Sequence, residues 1–470
     1  MTTLIKHGTL ITASDTFEAD ILIGDEKISL IGKDLQHPTA EVIDASGKLI
    51  MPGGIDPHVH LDLQMFGTVS SDDHYTGHKA AAFGGTTTVM DFVVLEEEGF
   101  QHSVDIWMKM AEKAAIDYSF HMNLTRFDER IAYEIPLLRE MGITTLKVFT
   151  AYNGRLRIDD GSIFKAMQIA RDNGMLVMAH CENGDVIETL TAQALAEGHT
   201  TPEWHALTRP GWGGVEATLR VAGMAAAADA SAYIVHMNMA GEVDMLKYAR
   251  ERGVKVMGET CPQYLFFTID DLRREDGAKW ICSPPMRSAQ DNARLWQGLS
   301  EGILQTIGTD HCPFFYDGTR PIVYEGHEIA ILGKELGRDD FTKIPNGLPG
   351  VEDRLPILWT TGVRSGRITA NQFVAYNSTH PARRFGLSPR KGALLAGSDA
   401  DIVIWDPEKK VTYGLAHTHQ RTDYNLYEGW ELTGMPEKVF LRGRLIVDGD
   451  RWLGQRGGGQ FLKRGEGEVL

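Results

Sequence analysis

Met51-Pro-Gly-Gly-Ile-Asp-Pro-His-Val-His-Leu61 is the stretch on which the fold turns. A short apolar run ends there on two histidines separated by one residue. In a strand, residues i and i+2 point to the same side, so His58 and His60 can face one axis and bind one cation through imidazole nitrogen. Downstream, Lys147, His180, His236 and Asp310 each lie in or close a short apolar run. Residues so far apart in sequence converge where parallel strands all end on one face, which is the layout of a β/α barrel.

The middle of the chain supplies the strands such a barrel needs. Apolar, β-branched runs occupy 53–60, 86–94, 118–124, 144–150, 175–180, 232–236, 254–259 and 305–309, eight in all. Helical stretches with apolar residues at three- and four-residue spacing separate most of them, among them 103–115, 162–173 and 242–252. Eight βα units predict a closed (β/α)8 TIM-type barrel rather than an open doubly wound sheet. Residues 1–52 instead read as short strands between Gly and Asp turns, and the same texture returns at 401–406 and 438–447. The expected organisation is therefore a small β-sandwich from both ends (1–52 and, with connecting segments, 376–448) and a metal-dependent catalytic barrel over 53–375. Residues 449–470, rich in Gly, Arg and Lys over 454–467, are expected as a tail that contacts another subunit.

Composition narrows the class. The 470 residues suit one large barrel plus a satellite domain. A net charge of −17 argues against nucleic acid or an anionic membrane surface as partner. The start of the chain lacks a basic n-region followed by an apolar h-region, and no run approaches the roughly 18 apolar residues of a membrane helix. Four cysteines without a CxxC pair read as reduced thiols, hence a cytoplasmic protein.

The residue types dictate the chemistry. Two divalent cations held side by side need a bridging anion between them. A lysine inside an apolar strand has a depressed pKa, and its neutral amine can take up CO₂ to form a carbamate, so Lys147 can supply that anion. Asp310, at the end of the eighth strand, can ligate a metal and take the proton of an attacking water. Nitrogen and oxygen donors without thiolate suit two Zn²⁺ ions, or Mn²⁺ or Co²⁺. A second HxH, His417-Thr-His419, follows no strand and is expected to bind nothing.

Seven motifs go further: 53–61, Ala-Ala-Phe-Gly-Gly-Thr-Thr-Thr (81–88), Leu-Lys-Val-Phe-Thr-Ala-Tyr (146–152), His-Cys-Glu-Asn-Gly-Asp (180–185), Ser-Pro-Pro-Met-Arg (283–287), Gly-Thr-Asp-His-Cys-Pro-Phe (308–314) and Lys-Ile-Pro-Asn-Gly-Leu-Pro-Gly-Val-Glu-Asp-Arg (343–354). With 397–403 they make a chain that resembles the dihydropyrimidinase and hydantoinase family of cyclic amidohydrolases over nearly its whole length. The resemblance implies a metal pair held by His58, His60, carboxylated Lys147, His180, His236 and Asp310. It implies that Tyr152 polarises the scissile carbonyl and that main-chain groups at Ser283 and Asn346 grip the amide edge of the ring. It also implies a homotetramer. One departure is Asn238, where the family often has Ser two residues after the histidine. Dihydroorotases follow HxH with Leu-Arg; here Leu61-Asp62 follows, so no acidic ring substituent is expected.

The implied activity is hydrolytic opening of hydantoins or dihydropyrimidines to N-carbamoyl amino acids. The alternatives are an allantoinase or cyclic imidase on the same fold, or a non-catalytic scaffold. A complete set of six ligand residues speaks against the scaffold. Segments 63–71, 93–99 and 152–160 follow barrel strands and are expected to line the mouth; they contain Met65, Phe66, Leu95 and Leu156, each of which fits either the cavity wall or loop packing.

Overall fold

A computed structural model describes residues 2–468. The eight expected strands form one parallel sheet. They are β1 (Gly54–Val59), β2 (Thr86–Val93), β3 (Asp117–Asn123), β4 (Thr145–Phe149), β5 (Leu176–His180), β6 (Ala232–Ile234), β7 (Val256–Thr260) and β8 (Thr306–Ile307). They pair in chain order from β1 to β8. The ring closes just past β8, where the His60 amide donates to the His311 carbonyl at 2.7 Å beside a Val59–His311 bridge.

The strands are buried on both faces, as their near-continuous apolar runs require. One set of side chains fills the lumen: Ile55, Met90, Phe92, Met178, Tyr233 and Met257. The other packs against the surrounding helices. Those helices start where the sequence supplies a cap. Asp128, Asp159, Asn183 and Ser288 each accept a backbone N–H of the first turn, so a short polar side chain ends each of these strand-to-helix loops.

The chain's two ends join in one nine-stranded mixed sheet. Its seam is the antiparallel pairing of Leu49–Pro52 with the first part of Ile402–Thr412, Ile404 lying opposite Ile50. Strand Thr3–Ile11 pairs with Glu41–Asp44 along one half and with Leu49–Pro52 along the other. Ile5, Ile21, Ile28, Ile402 and Phe440 from both ends share one core, so the sheet folds on itself as a two-layered sandwich.

Two expectations need correction. The helical run from Ala370 to Arg384 crosses position 375 and packs against the barrel, so a break at 375 falls inside an element. The C-terminal stretch does not stand off its own chain. It runs along the barrel floor, with the Tyr118 amide donating to the Gln460 carbonyl and the Leu462 amide to the Tyr118 carbonyl. Leu462 is fully buried among lumen residues beside Phe385. Arg464 is buried too and donates 2.7 Å to Thr145 Oγ1. Glycines at 457–459 let the backbone lie this close: a Cβ at Gly459 would come 2.0 Å from the Ile116 carbonyl oxygen.

Candidate active site

The strands bring all nine singled-out residues to one place. His58, His60, Lys147, Tyr152, His180, His236, Ser283, Asp310 and Asn346 line a single cavity of about 280 Å³ at the C-terminal ends of the barrel strands. Barrel enzymes carry their sites at that end.

Two clusters make up the floor. In the first, His58 Nε2 and His60 Nε2 lie 3.2 and 3.1 Å from Asp310 Oδ1. Among the described residues, these three are the group of metal-ligating types whose donor atoms all fall within 4.8 Å of one another. In the second, His180 Nδ1 faces His236 Nε2 at 3.1 Å. The clusters adjoin, since the His58 and His236 rings are 5.4 Å apart. Lys147 reaches in between Phe92 and Phe149, its nitrogen 5.1 and 5.4 Å from the two ring centroids. Among the described residues it has no ion-pair partner.

Backbone strain accompanies the site. Tyr152, His236 and Asp310 have φ of 68, 38 and 54°, in the left-handed region that non-glycine residues avoid. Each lies just past the end of a barrel strand, where the chain must turn sharply and still aim its side chain inward. Such strain is held only by surrounding structure and clusters at functional sites.

The electrostatics follow from burial. Burial lowers the Lys147 ammonium to about 8, against an opposing pull from Asp310 and Glu259. Burial and the Lys147 charge hold His236 well below the usual imidazole range. Burial would raise the Asp310 carboxyl, but the neighbouring rings of His58 and His60 outweigh it and keep it ionised. Burial, helped by Glu182, keeps the Tyr152 phenol protonated and so a donor.

A metal pair fits these residues. Four imidazoles, a carboxylate and an easily neutralised amine face one enclosed space, and His236 Nδ1 is a buried nitrogen with no hydrogen-bond partner. Burial holds His180 and His236 below the usual imidazole range, so neutral rings and a carboxylate face the same space. That is the donor chemistry of a divalent cation site.

The walls are built by loops. Asn346 Nδ2 donates to Ser283 Oγ at 3.1 Å, tying the two expected ring-gripping segments together. Asn238 takes up a scaffolding role, its amide donating 2.6 Å to the Pro285 carbonyl. At the mouth, Gln64–Met65 and Thr68–Val69 form a hairpin whose two turn residues, Phe66 and Gly67, both have positive φ. Leu63, Met65, Phe66, Val94, Phe149 and Leu156 give the cavity its apolar rim. In segment 93–99 Leu95 is buried in the main core and its neighbour Val94 lines the cavity. Successive residues of an extended segment point opposite ways, so neighbours divide between wall and core. Asp62 serves the scaffold, accepting from His74 Nδ1 at 2.7 Å and Lys113 at 2.9 Å. His419 of the second HxH stacks on Phe83 and pairs with Glu352 at 2.8 Å.

Sequence reasoning missed two buried carboxylates. Glu259, at the end of β7, lies 2.8 Å from His58 Nδ1 and also accepts from the His236 amide and the Tyr233 hydroxyl. Glu182 lies 2.9 Å from His180 Nε2. Glu182 stands two residues after a singled-out histidine, a signal that was available. Glu259 is 201 residues from His58 and becomes visible only once β1 and β7 are in one barrel.

Comparison with known proteins agrees with the geometry. Residues 49–446 match the amidohydrolase family. The chain is 45% identical over 469 residues to a D-hydantoinase of Geobacillus stearothermophilus, covering 99% of this chain and 97% of that one. It is 42% identical over 468 residues to a D-hydantoinase of Rhizobium radiobacter, covering 99% of each. The crystal structure of a dihydropyrimidinase from Brevibacillus agri NCHU1002 superposes with a TM-score of 0.95 at 46% identity, over the whole of both chains.

Proposed function

The chain belongs to the amidohydrolase family, and from that premise we propose that it opens the rings of hydantoins and dihydropyrimidines by hydrolysis, releasing N-carbamoyl amino acids. The observation that carries the reading is the convergence of four histidines, Lys147 and Asp310 on one cavity at the barrel's C-terminal end. His58, His60 and Asp310 would hold one divalent cation and His180 and His236 a second. Lys147, as the carbamate formed when its neutral amine adds to CO₂ with loss of a proton, would bridge them. Zn²⁺ suits the donors best, with Mn²⁺ or Co²⁺ also accommodated. Bound there, the pair would polarise the ring carbonyl and lower the pKa of the attacking water.

The chain's own residues do the rest. Tyr152 donates a hydrogen bond to the carbonyl oxygen as negative charge builds on it. Asp310 takes a proton from the attacking water and returns it to the ring nitrogen as the C–N bond breaks. One water is consumed, giving a carboxylate and a ureido nitrogen. Backbone groups of Ser283 and Asn346 hold the amide edge of the ring, and the apolar rim suits a hydrophobic ring substituent.

Among the described residues no helix is long and apolar enough to cross a membrane. All four cysteines are free and buried, which supports a cytoplasmic setting. A homotetramer is the proposed assembly; a 52.1 kDa species by light scattering would contradict it.

The test is turnover of a panel: dihydrouracil, hydantoin, 5-phenylhydantoin, allantoin and succinimide. Ring opening of the first three to carbamoyl products is expected. Turnover confined to allantoin or to succinimide would overturn the substrate class in favour of an allantoinase or an imidase.

A further inference from the structure

A histidine that binds a cation must present one bare ring nitrogen, and the proton on the other nitrogen decides which one. The two clusters settle this with separate carboxylates. Glu259 Oε1 lies 2.8 Å from His58 Nδ1 and holds a proton there, which leaves Nε2, facing Asp310, as the nitrogen that can be bared for a cation. Glu182 Oε2 lies 2.9 Å from His180 Nε2, so that nitrogen carries the proton and Nδ1 is left bare, facing His236. The carboxylates thus favour opposite tautomers of the two rings, one in each cluster.

Both glutamates are buried and anchored, Glu259 through its carboxylate and Glu182 through its backbone. The Glu259 side chain is fully buried; besides His58 it accepts 3.1 Å from the His236 amide and 2.9 Å from the Tyr233 hydroxyl. Glu182 is 4% exposed; its backbone amide donates to Thr150 Oγ1 at 3.0 Å, and Arg209 Nε lies 4.0 Å from its Oε1. Leaving two acids in a barrel interior is costly unless each has a task, because burial penalises the charged form.

We propose that Glu259 and Glu182 are positioning residues that set the ring orientation and tautomer of His58 and His180, each governing one half of a two-metal site. The proposal rests on the metal-pair reading above. A carboxylate on the far nitrogen fixes the tautomer and raises ligand basicity, and its removal typically costs 10–100-fold in metal affinity. Because each glutamate bonds a ligand ring of only one cluster, each loss should weaken a different metal.

The experiment is zinc content and zinc release to a chelator, measured on wild-type protein and on Glu259→Ala, Glu259→Gln, Glu182→Ala and Glu182→Gln. Wild type should hold two equivalents per chain. Each Ala variant should lose one equivalent about 10–100-fold more readily and keep the other near wild-type tightness. The Gln variants, which retain an acceptor oxygen, should fall in between. Substituted with Co²⁺, the two Ala variants should show different changes in the visible spectrum, and kcat should fall with KM little changed. Wild-type protein without metal would defeat the metal-pair reading itself. Wild type with two metals, and variants with unchanged release and spectra, would overturn the proposal alone. So would loss of the fold in the Gln variants, which would make these glutamates parts of the core.

Discussion

At the scale of single residues, Asp310 and Lys147 carry the most chemistry and their failures should look different. Asp310 is one ligand of several but the sole proton carrier in the account. Asp310→Asn should leave the fold and much of the metal in place and lower kcat about 10²–10⁴-fold; near-wild-type kcat in the metal-loaded variant would exclude it as the base. Tyr152→Phe removes a single donor aimed at the oxyanion, and about 10²–10³-fold should go from kcat. A change confined to KM would make Tyr152 a binding residue. Lys147→Ala should lose metal and activity together, and acetate or propionate should restore part of both, because what is missing is a carboxylate on a stem. Full metal occupancy in Lys147→Ala would show that nothing needs to bridge there. Why these residues were legible in the sequence is plain: imidazole, amine and carboxylate at the ends of apolar runs are costly to bury without a task. Glu259 was not legible, since its partners lie on β1 and β6.

At the scale of elements, strand-end placement did most of the work. Each barrel strand is short, apolar and β-branched, and periodicity finds such runs wherever caps and glycines bound them. Segments without periodicity were read less well. The Gly- and Arg-rich stretch after residue 454 looked like a tail because composition favours that reading. Its two apolar residues, Phe461 and Leu462, and a run of glycines instead let it lie flat on the barrel floor. Leu462→Ala should therefore destabilise the protein by about 2–5 kcal/mol, the range for emptying a well-packed core site. Thermal or denaturant unfolding measures it, and an unchanged midpoint would mean that the floor is closed without this strand of chain. The mouth loops mark the other limit. Val94 lines the cavity and Leu95 the core, a division by a one-residue register that no local pattern encodes.

At the scale of the molecule, a barrel supplies the convergence and an end-built sheet supplies the closure. The sheet draws its core from both ends of the chain and so ties them together beside the barrel. The cavity then combines a polar floor of strand-end ligands with an apolar rim of loop residues, an arrangement that separates chemistry from substituent preference. The most direct test of the whole account is reconstitution: remove metal from the full-length protein with a chelator, add Zn²⁺ stepwise, and follow hydantoin ring opening. Activity should be absent from the stripped protein and return to a plateau at two equivalents per chain. Full ring opening by the metal-free protein, or none with two equivalents bound, would contradict it.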